Sequence, residues 1–261
     1  MNKVLEEILS TGNTMTPDGG TIKVHGNIDR RRCNILTHIV QEIMPAVTLE
    51  VGLAYGLSAL TICDALIRTS RSKHIVIDPH QNIQPVWGGI GLYNLERAGF
   101  GDLIEFYEQP SYRALPILES RNIKIDFAFI DGWHTFDYTL VDFFYIDKML
   151  KEEGIVVFDD ADWPSVRNVC RFIATNLDYK PYNLPEKFFT REEHSSDINP
   201  KQDNSSATPL QTLSRLLYKY TPNRGQLSSV SDDIKLGLIG NFVAFRKGSD
   251  DSRKWNHYIP F

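Results

Sequence analysis

Residues 125–160 read IDFAFIDGWHTFDYTLVDFFYIDKMLKEEGIVVFDD. Two apolar strands are visible in it, Ile125–Ile130 and Gly154–Phe158, and each stops abruptly in acid: Asp131 after the first, Asp159 and Asp160 after the second. Between them Phe136, Leu140, Phe143, Phe144 and Leu150 fall near helical spacing, with Asp137, Asp142 and Lys148 on other faces. Strand, helix, strand implies a parallel pair joined by a right-handed crossover. The carboxyl ends of neighbouring strands lie about 5 Å apart, so three carboxylates would crowd the edge at which open α/β sheets bind ligands. Like charges that close are unfavourable unless a cation or shared protons offset them. The stretch therefore predicts a divalent-cation site, with Asp131, Asp159 and Asp160 as ligands, facing a substrate crevice.

Working back toward the N-terminus, Ala46–Val51 reads as the first buried strand and runs into EVGLAYGLS. Glu50 closes the strand, Gly52 and Gly56 bracket a tight loop, and Ser58 opens a helix with Ala59, Ile62, Cys63 and Leu66 on one apolar face. Strand, glycine loop and helix form a ligand-cradling unit, because glycine lets a backbone approach a ligand closely. On spacing alone a plain tight turn has about even odds. A second strand, His74–Ile77, ends at Asp78, an acid able to accept both hydroxyl hydrogens of a ribose or simply to cap a helix. Trp87, in the turn-rich QPVWGG stretch, is a candidate pocket wall, although burial in the core is the commoner fate of a lone Trp.

A helix precedes the first strand. Ile28, Arg32, Ile35, Leu36, Ile39, Val40 and Ile43 recur at helical spacing, with Asn27 or Asp29 as cap and Pro45 as stop. The Arg30–Arg32 run reads as a solvated helix face. Residues 1–26 read as an N-terminal arm, a surface lead-in or a flap. Beyond the second strand come a helix over Tyr93–Gly99, a third strand over Leu103–Tyr107, and a helix that Ser111 caps and Pro116 limits or kinks. After the acidic pair, Pro164 starts a helix that buries Val166, Val169, Cys170 and Ile173. Tyr179–Leu184 and Leu238–Phe245 read as the last two strands, a hairpin split by an insertion over residues 185–235. Within it Arg191–Ser206 is polar, and Leu210–Tyr220 has the pattern of a short amphipathic helix suited to a lid. The tail, residues 247–261, ends in WNHYIPF and is expected to dock on the body or on a second copy, which makes a homo-oligomer possible.

Bulk properties narrow the class. The chain has 261 residues, 42% of them hydrophobic, enough for one large α/β domain with extras. A net charge of −5 with mixed signs argues against a nucleic-acid partner. Cys33, Cys63 and Cys170 fit neither a disulfide framework nor a zinc spacing, which favours a reducing compartment. MNKVLEEIL lacks a signal-peptide pattern and no apolar run reaches spanning length, so the expectation is a soluble, cytoplasmic protein without membrane contact.

Three landmarks in this order, LEVGLAYGLS, then VIDPHQ, then FIDGWH with VVFDD, make the chain resemble the class I S-adenosylmethionine-dependent methyltransferases. It is most similar to the metal-dependent O-methyltransferases like those acting on catechol and caffeoyl-coenzyme A, and to the group acting on macrolide and nucleoside-antibiotic sugars. The resemblance covers roughly Ile28–Asn176. It implies a Rossmann-like, seven-stranded, mostly parallel sheet with helices on both faces, a last strand that runs antiparallel, and the insertion between strands six and seven. It implies S-adenosylmethionine as cofactor: Glu50, Gly52 and Gly56 at the methionine part, Ser58 at its carboxylate, Asp78 at the ribose and Ser111 at the adenine edge. It also implies magnesium, or manganese or calcium, at Asp131, Asp159 and Asp160. His134 matches the general base of the sugar-modifying group. The catechol and caffeoyl enzymes tend to carry Lys near that point and Asp-Asn where this chain has Asp159-Asp160, and both departures point towards sugar-like hydroxyls.

The residues agree with that chemistry on their own terms. A cofactor without pyrophosphate needs no G-x-G-x-x-G loop, and the chain has none, which also disfavours a nicotinamide enzyme. Three carboxylates suit a hard cation better than zinc. The expected reaction is methyl transfer to a hydroxyl of a small molecule or glycan, with His134 removing the proton beside Asp131. The alternative is a silent cofactor-binding scaffold of the same fold.

Overall fold

Apolar strands with no polar side need cover on both faces. In the computed structural model, which describes residues 1–67, 72–185, 188 and 233–261, helices provide it. The chain begins with α1 (Lys3–Thr11) and a small hairpin of β1 (Asn13–Met15) and β2 (Thr21–Lys23). The body follows as α2 (Arg30–Ile43), β3 (Val47–Val51), α3 (Leu57–Leu66), β4 (Lys73–Ile77), α4 (Ile90–Arg97), β5 (Ile104–Tyr107) and α5 (Ser111–Ser120). It closes with β6 (Ile125–Ile130), α6 (Phe136–Met149), β7 (Leu150–Phe158), α7 (Pro164–Asn176), β8 (Tyr179–Pro181) and β9 (Val243–Lys247).

The sheet has seven strands in the order β5-β4-β3-β6-β7-β9-β8. All neighbours are parallel except β9, which runs antiparallel to both β7 and β8. This is the expected Rossmann-like α/β architecture. Strand alternation divides the core in two. Phe127, Phe129, Ile155 and Val157 face the layer of α1 to α4, whereas Ala128, Ile130, Val156 and Phe158 face α5 to α7. Because β3 lies beside β6 and β6 beside β7, the loop after β3 and the acids after β6 and β7 share one edge.

Several elements differ in detail from the sequence reading, each for a physical reason. The fifth parallel strand begins at Leu150, not Gly154, with Glu153 in the left-handed region and a register shift against β6. Pro116 does not end α5, which runs on to Ser120. Ser111 is the first helical residue and not the cap; Pro110 holds that place. On α6 the buried stripe is Phe143, Ile146 and Met149, while Phe136 and Phe144 face outward. That helix is apolar nearly all round, so periodicity alone leaves its inner face undetermined. The expected helix over Leu210–Tyr220 and the polar run Arg191–Ser206 lie outside the described residues.

The first 26 residues join the main core. α1 buries Val4, Leu5 and Ile8. The hairpin is tied down by Asn94, which is fully buried: its Oδ1 accepts from the Thr14 hydroxyl at 3.0 Å and its Nδ2 donates to the Tyr55 carbonyl at 3.0 Å. At the other end of the chain, Asn176 makes two hydrogen bonds to the backbone of Ile259, and the Phe261 ring packs 5.3 Å from Phe172. Asn94→Ala strands two buried groups, and chemical denaturation is expected to read a loss of about 1–3 kcal/mol. Unchanged stability would mean that the hairpin does not depend on this link.

Candidate active site

Each acid of the FID and FDD motifs lands where its strand ends, but the three carboxylates do not play equivalent parts. Asp131 follows β6, and its backbone N–H donates to Val51 O of β3 at 3.0 Å. Asp160 and His134 both sit in the left-handed region, at φ 48° and 60°, a conformation that Asp and His tolerate better than most residues. These backbone turns aim their side chains inward. One ligand atom from each of Asp131, His134 and Asp160 lies within 4.8 Å of the others. His134 Nε2 is 3.6 Å from Asp131 Oδ1 and 3.7 Å from Asp160 Oδ2. The imidazole also packs against the Trp163 ring at 5.4 Å, and its backbone carbonyl accepts from the Ser165 hydroxyl.

Asp159 turns the other way. It is buried, and Nη1 of Arg32 on α2 lies 2.8 Å from both of its oxygens. The same nitrogen is 3.9 Å from Asp160 Oδ1. The sequence reading placed Asp159 with Asp131 and Asp160 as a cation ligand and read Arg30–Arg32 as a solvated face. Instead Arg30 pairs with Glu6, Arg31 donates to the Phe188 carbonyl, and Arg32 enters the site. Burial and the charges of Asp159 and Asp160 hold the Asp131 carboxyl well above the ordinary Asp range. Burial also raises Asp159, against the pull of Arg32. Two oxygens, an imidazole nitrogen and mutual repulsion between acids form a donor set that a hard divalent cation fits.

The loop after β3 abuts this cluster. Gly52 has φ 93°, and a Cβ there would lie 2.0 Å from the Asp131 carbonyl oxygen, so only glycine fits. Gly56, at φ 82°, packs against Gly91. Gly56 caps α3 without a side-chain bond, so among the described residues no side chain caps the first N–H groups of that helix, an arrangement that suits an anion, with Ser58 in its first turn. Asp78 braces the loop: Oδ2 accepts from the N–H of Leu53 at 3.1 Å and of Ala54 at 3.2 Å, and Oδ1 from that of His80 at 2.8 Å. Glu50 is fully buried on the α2–α3 side, and its carboxylate oxygens make no hydrogen bond among the described residues. Among the described residues its ionisable neighbour is His74, whose Nε2 lies 3.5 Å away. A carboxylate so placed favours a cationic ligand nearby.

Asp142 was not expected here. It lies on α6, 1% exposed, near Ser111 and close behind Gly132, with Oδ1 lacking a hydrogen-bond partner among the described residues. Its signal in the sequence is weak: an acid next to the buried Phe143 on a helix that also carries Asp137, Asp147 and Lys148. Arg32 had a clearer signal, a charge set among Ile28, Ile35, Leu36 and Ile39, which calls for a buried counter-charge.

Known proteins resemble this chain in sequence and in fold. Residues 49–161 match the model of a family described as a methyltransferase domain. Tapetum-specific methyltransferase 1 of Arabidopsis thaliana is 28% identical over 55% of this chain and 60% of its own length, so the match spans less than two thirds of that relative. A second protein of that plant, named as a candidate caffeoyl-CoA O-methyltransferase, is 27% identical over 64% of this chain and 68% of its length. In fold the chain resembles an O-methyltransferase of Bacillus cereus solved with S-adenosylhomocysteine: TM-score 0.57, 18% identity, 70% of this chain and 84% of that one. The O-methyltransferase TomG of Streptomyces achromogenes, solved with S-adenosylmethionine, gives TM-score 0.56 at 17% identity, over 70% and 82%.

Burial lifts the Asp142 carboxyl to about 7, against the pull of nearby Ser111, which lowers it. Between roughly pH 4 and 7 the folded protein then keeps a proton that the unfolded chain releases, so stability falls as pH rises through that window. Asp142→Asn is expected to remove that slope and to be more stable than the parent at pH 8, by about 1–3 kcal/mol. Identical pH slopes for parent and variant would show that Asp142 is ionised throughout.

Proposed function

We propose that the chain, whose residues 49–161 match the model of a methyltransferase domain, is a class I S-adenosylmethionine-dependent methyltransferase that methylates a hydroxyl of a small molecule or sugar with the help of a divalent cation. What carries this reading is the convergence of Asp131, His134 and Asp160 beside the loop whose Gly52 touches the Asp131 carbonyl. In this reading the carboxylates of Asp131 and Asp160 hold the cation, with Asp159 flanking them. The N-terminus of α3 with Ser58 receives the methionine carboxylate, Glu50 offsets the cofactor's positive charge, Asp78 meets the ribose and Ser111 the adenine edge.

The cofactor supplies an electrophilic methyl on a sulfonium, and the cation supplies the charge that acidifies and aims the acceptor hydroxyl. The chain's own task is to collect the proton and keep the partners aligned. His134 accepts the proton at Nε2. The carboxylates 3.6 and 3.7 Å away stabilise the imidazolium that results. Packing on Trp163 steadies the ring and the Ser165 hydroxyl holds the His134 backbone carbonyl, so little reorganisation is needed at the moment of transfer.

The same nitrogen cannot serve as base and as cation ligand together, and His134→Ala separates the two roles. The base reading expects methyl transfer to fall by at least about a hundredfold while calorimetry finds S-adenosylhomocysteine and Mn2+ affinity nearly unchanged. Loss of Mn2+ affinity alongside the rate would recast His134 as a ligand. Full turnover after chelator treatment would remove the cation from the reaction.

A further inference from the structure

Arg32 stands on α2 among residues the helix buries, Cys33, Ile35, Leu36 and Ile39. Its guanidinium meets an acid 127 positions further along the chain. The manner of contact is informative. A single nitrogen, Nη1, is equidistant from the two oxygens of Asp159 at 2.8 Å, whereas Nε is buried, has no hydrogen-bond partner among the described residues and faces only the exposed Asp29 Oδ1 of the helix cap, at 3.8 Å. A directional guanidinium–carboxylate fork would use two nitrogens on two oxygens. Here one N–H edge faces the whole carboxylate, an arrangement that cancels charge more than it fixes direction.

The count of charges gives this a purpose. Asp131, Asp159 and Asp160 would together carry minus three when ionised, and Arg32 reduces the sum to minus two, the charge a divalent cation neutralises. An uncancelled third acid would grip the cation harder. It would also leave a negative charge beside a hydroxyl that has to lose its proton, which opposes the reaction.

We infer that Arg32 is the positioning and charge-balancing residue of the cation site: it neutralises Asp159 and keeps it out of the ligand set, so that Asp131 and Asp160 act as the cation's two acids. The inference rests on the cation reading above and is tested apart from turnover.

The measurement is Mn2+ affinity, read from the paramagnetic resonance of the free ion, for the full chain as wild type, Arg32→Met, Asp159→Asn and the double variant. Arg32→Met is expected to tighten Mn2+ on the order of tenfold, because it exposes an extra negative charge near the ion, and Asp159→Asn to weaken it by a similar factor. The double variant is expected to return to within about threefold of wild type, since one positive and one negative charge are then lost together. Weaker binding by Arg32→Met, or a double variant as weak as Asp159→Asn, overturns the inference and makes Asp159 a direct ligand. Should Arg32→Met not fold, Arg32→Lys and the double variant carry the test: wild-type affinity is expected in both, and weak binding in either contradicts it. Absence of saturable Mn2+ binding to wild type is a different result, which sinks the cation reading itself.

Discussion

Repulsion among carboxylates at the ends of two adjacent parallel strands is the constraint around which this protein is built. β6 and β7 pair in register from Phe127–Ile155 to Ile130–Phe158, so the residues that follow them emerge side by side. Left alone, Asp131, Asp159 and Asp160 would resist ionising together, and burial makes the cost greater. Arg32 takes one of them. His134 stands between the other two. An arginine that loses its acid, or an acid that loses its arginine, leaves a buried charge unpaired, a defect that typically costs about 3–5 kcal/mol. The site and the attachment of α2 to the sheet edge are therefore one energetic unit.

The backbone around the cluster serves the same end. His134 and Asp160 accept left-handed turns, and Gly52 accepts a contact with the Asp131 carbonyl that no other residue could make. Such conformations persist where the surroundings over-determine them, and they gather at functional sites. The bracing of the loop by the Asp78 side chain and the fixing of Asp131 N–H on Val51 O join the Gly52–Gly56 loop to the acid cluster. A shift in one is transmitted to the other with little slack.

Much of this was readable in the sequence because the relevant signals are local. Apolar runs ending in acid place strand ends, and the strand-loop-helix pattern at Glu50–Ser58 places a cradle. The parallel pairing of β6 with β7 follows from the crossover helix between them. What escaped depends on contacts distant in sequence. Nothing in VVFDD says which of two adjacent acids faces an arginine on a helix over a hundred residues earlier, because that is decided by how α2 packs across the sheet. The inner face of α6 was misplaced, with Phe136 and Phe144 read inward, since a helix with apolar residues on every side carries little periodic information. Asp142 was read as outward for the same reason, and it proved to be buried against Ser111.

Diffraction from crystals grown with S-adenosylhomocysteine and Mn2+, with anomalous differences recorded at the manganese edge, tests the account most directly. The predicted result is one strong anomalous peak about 2.1–2.2 Å from carboxylate oxygens of Asp131 and Asp160, with the cofactor product along the Gly52–Ser58 loop and Arg32 still on Asp159. A peak elsewhere, or cofactor density away from that loop, would contradict it.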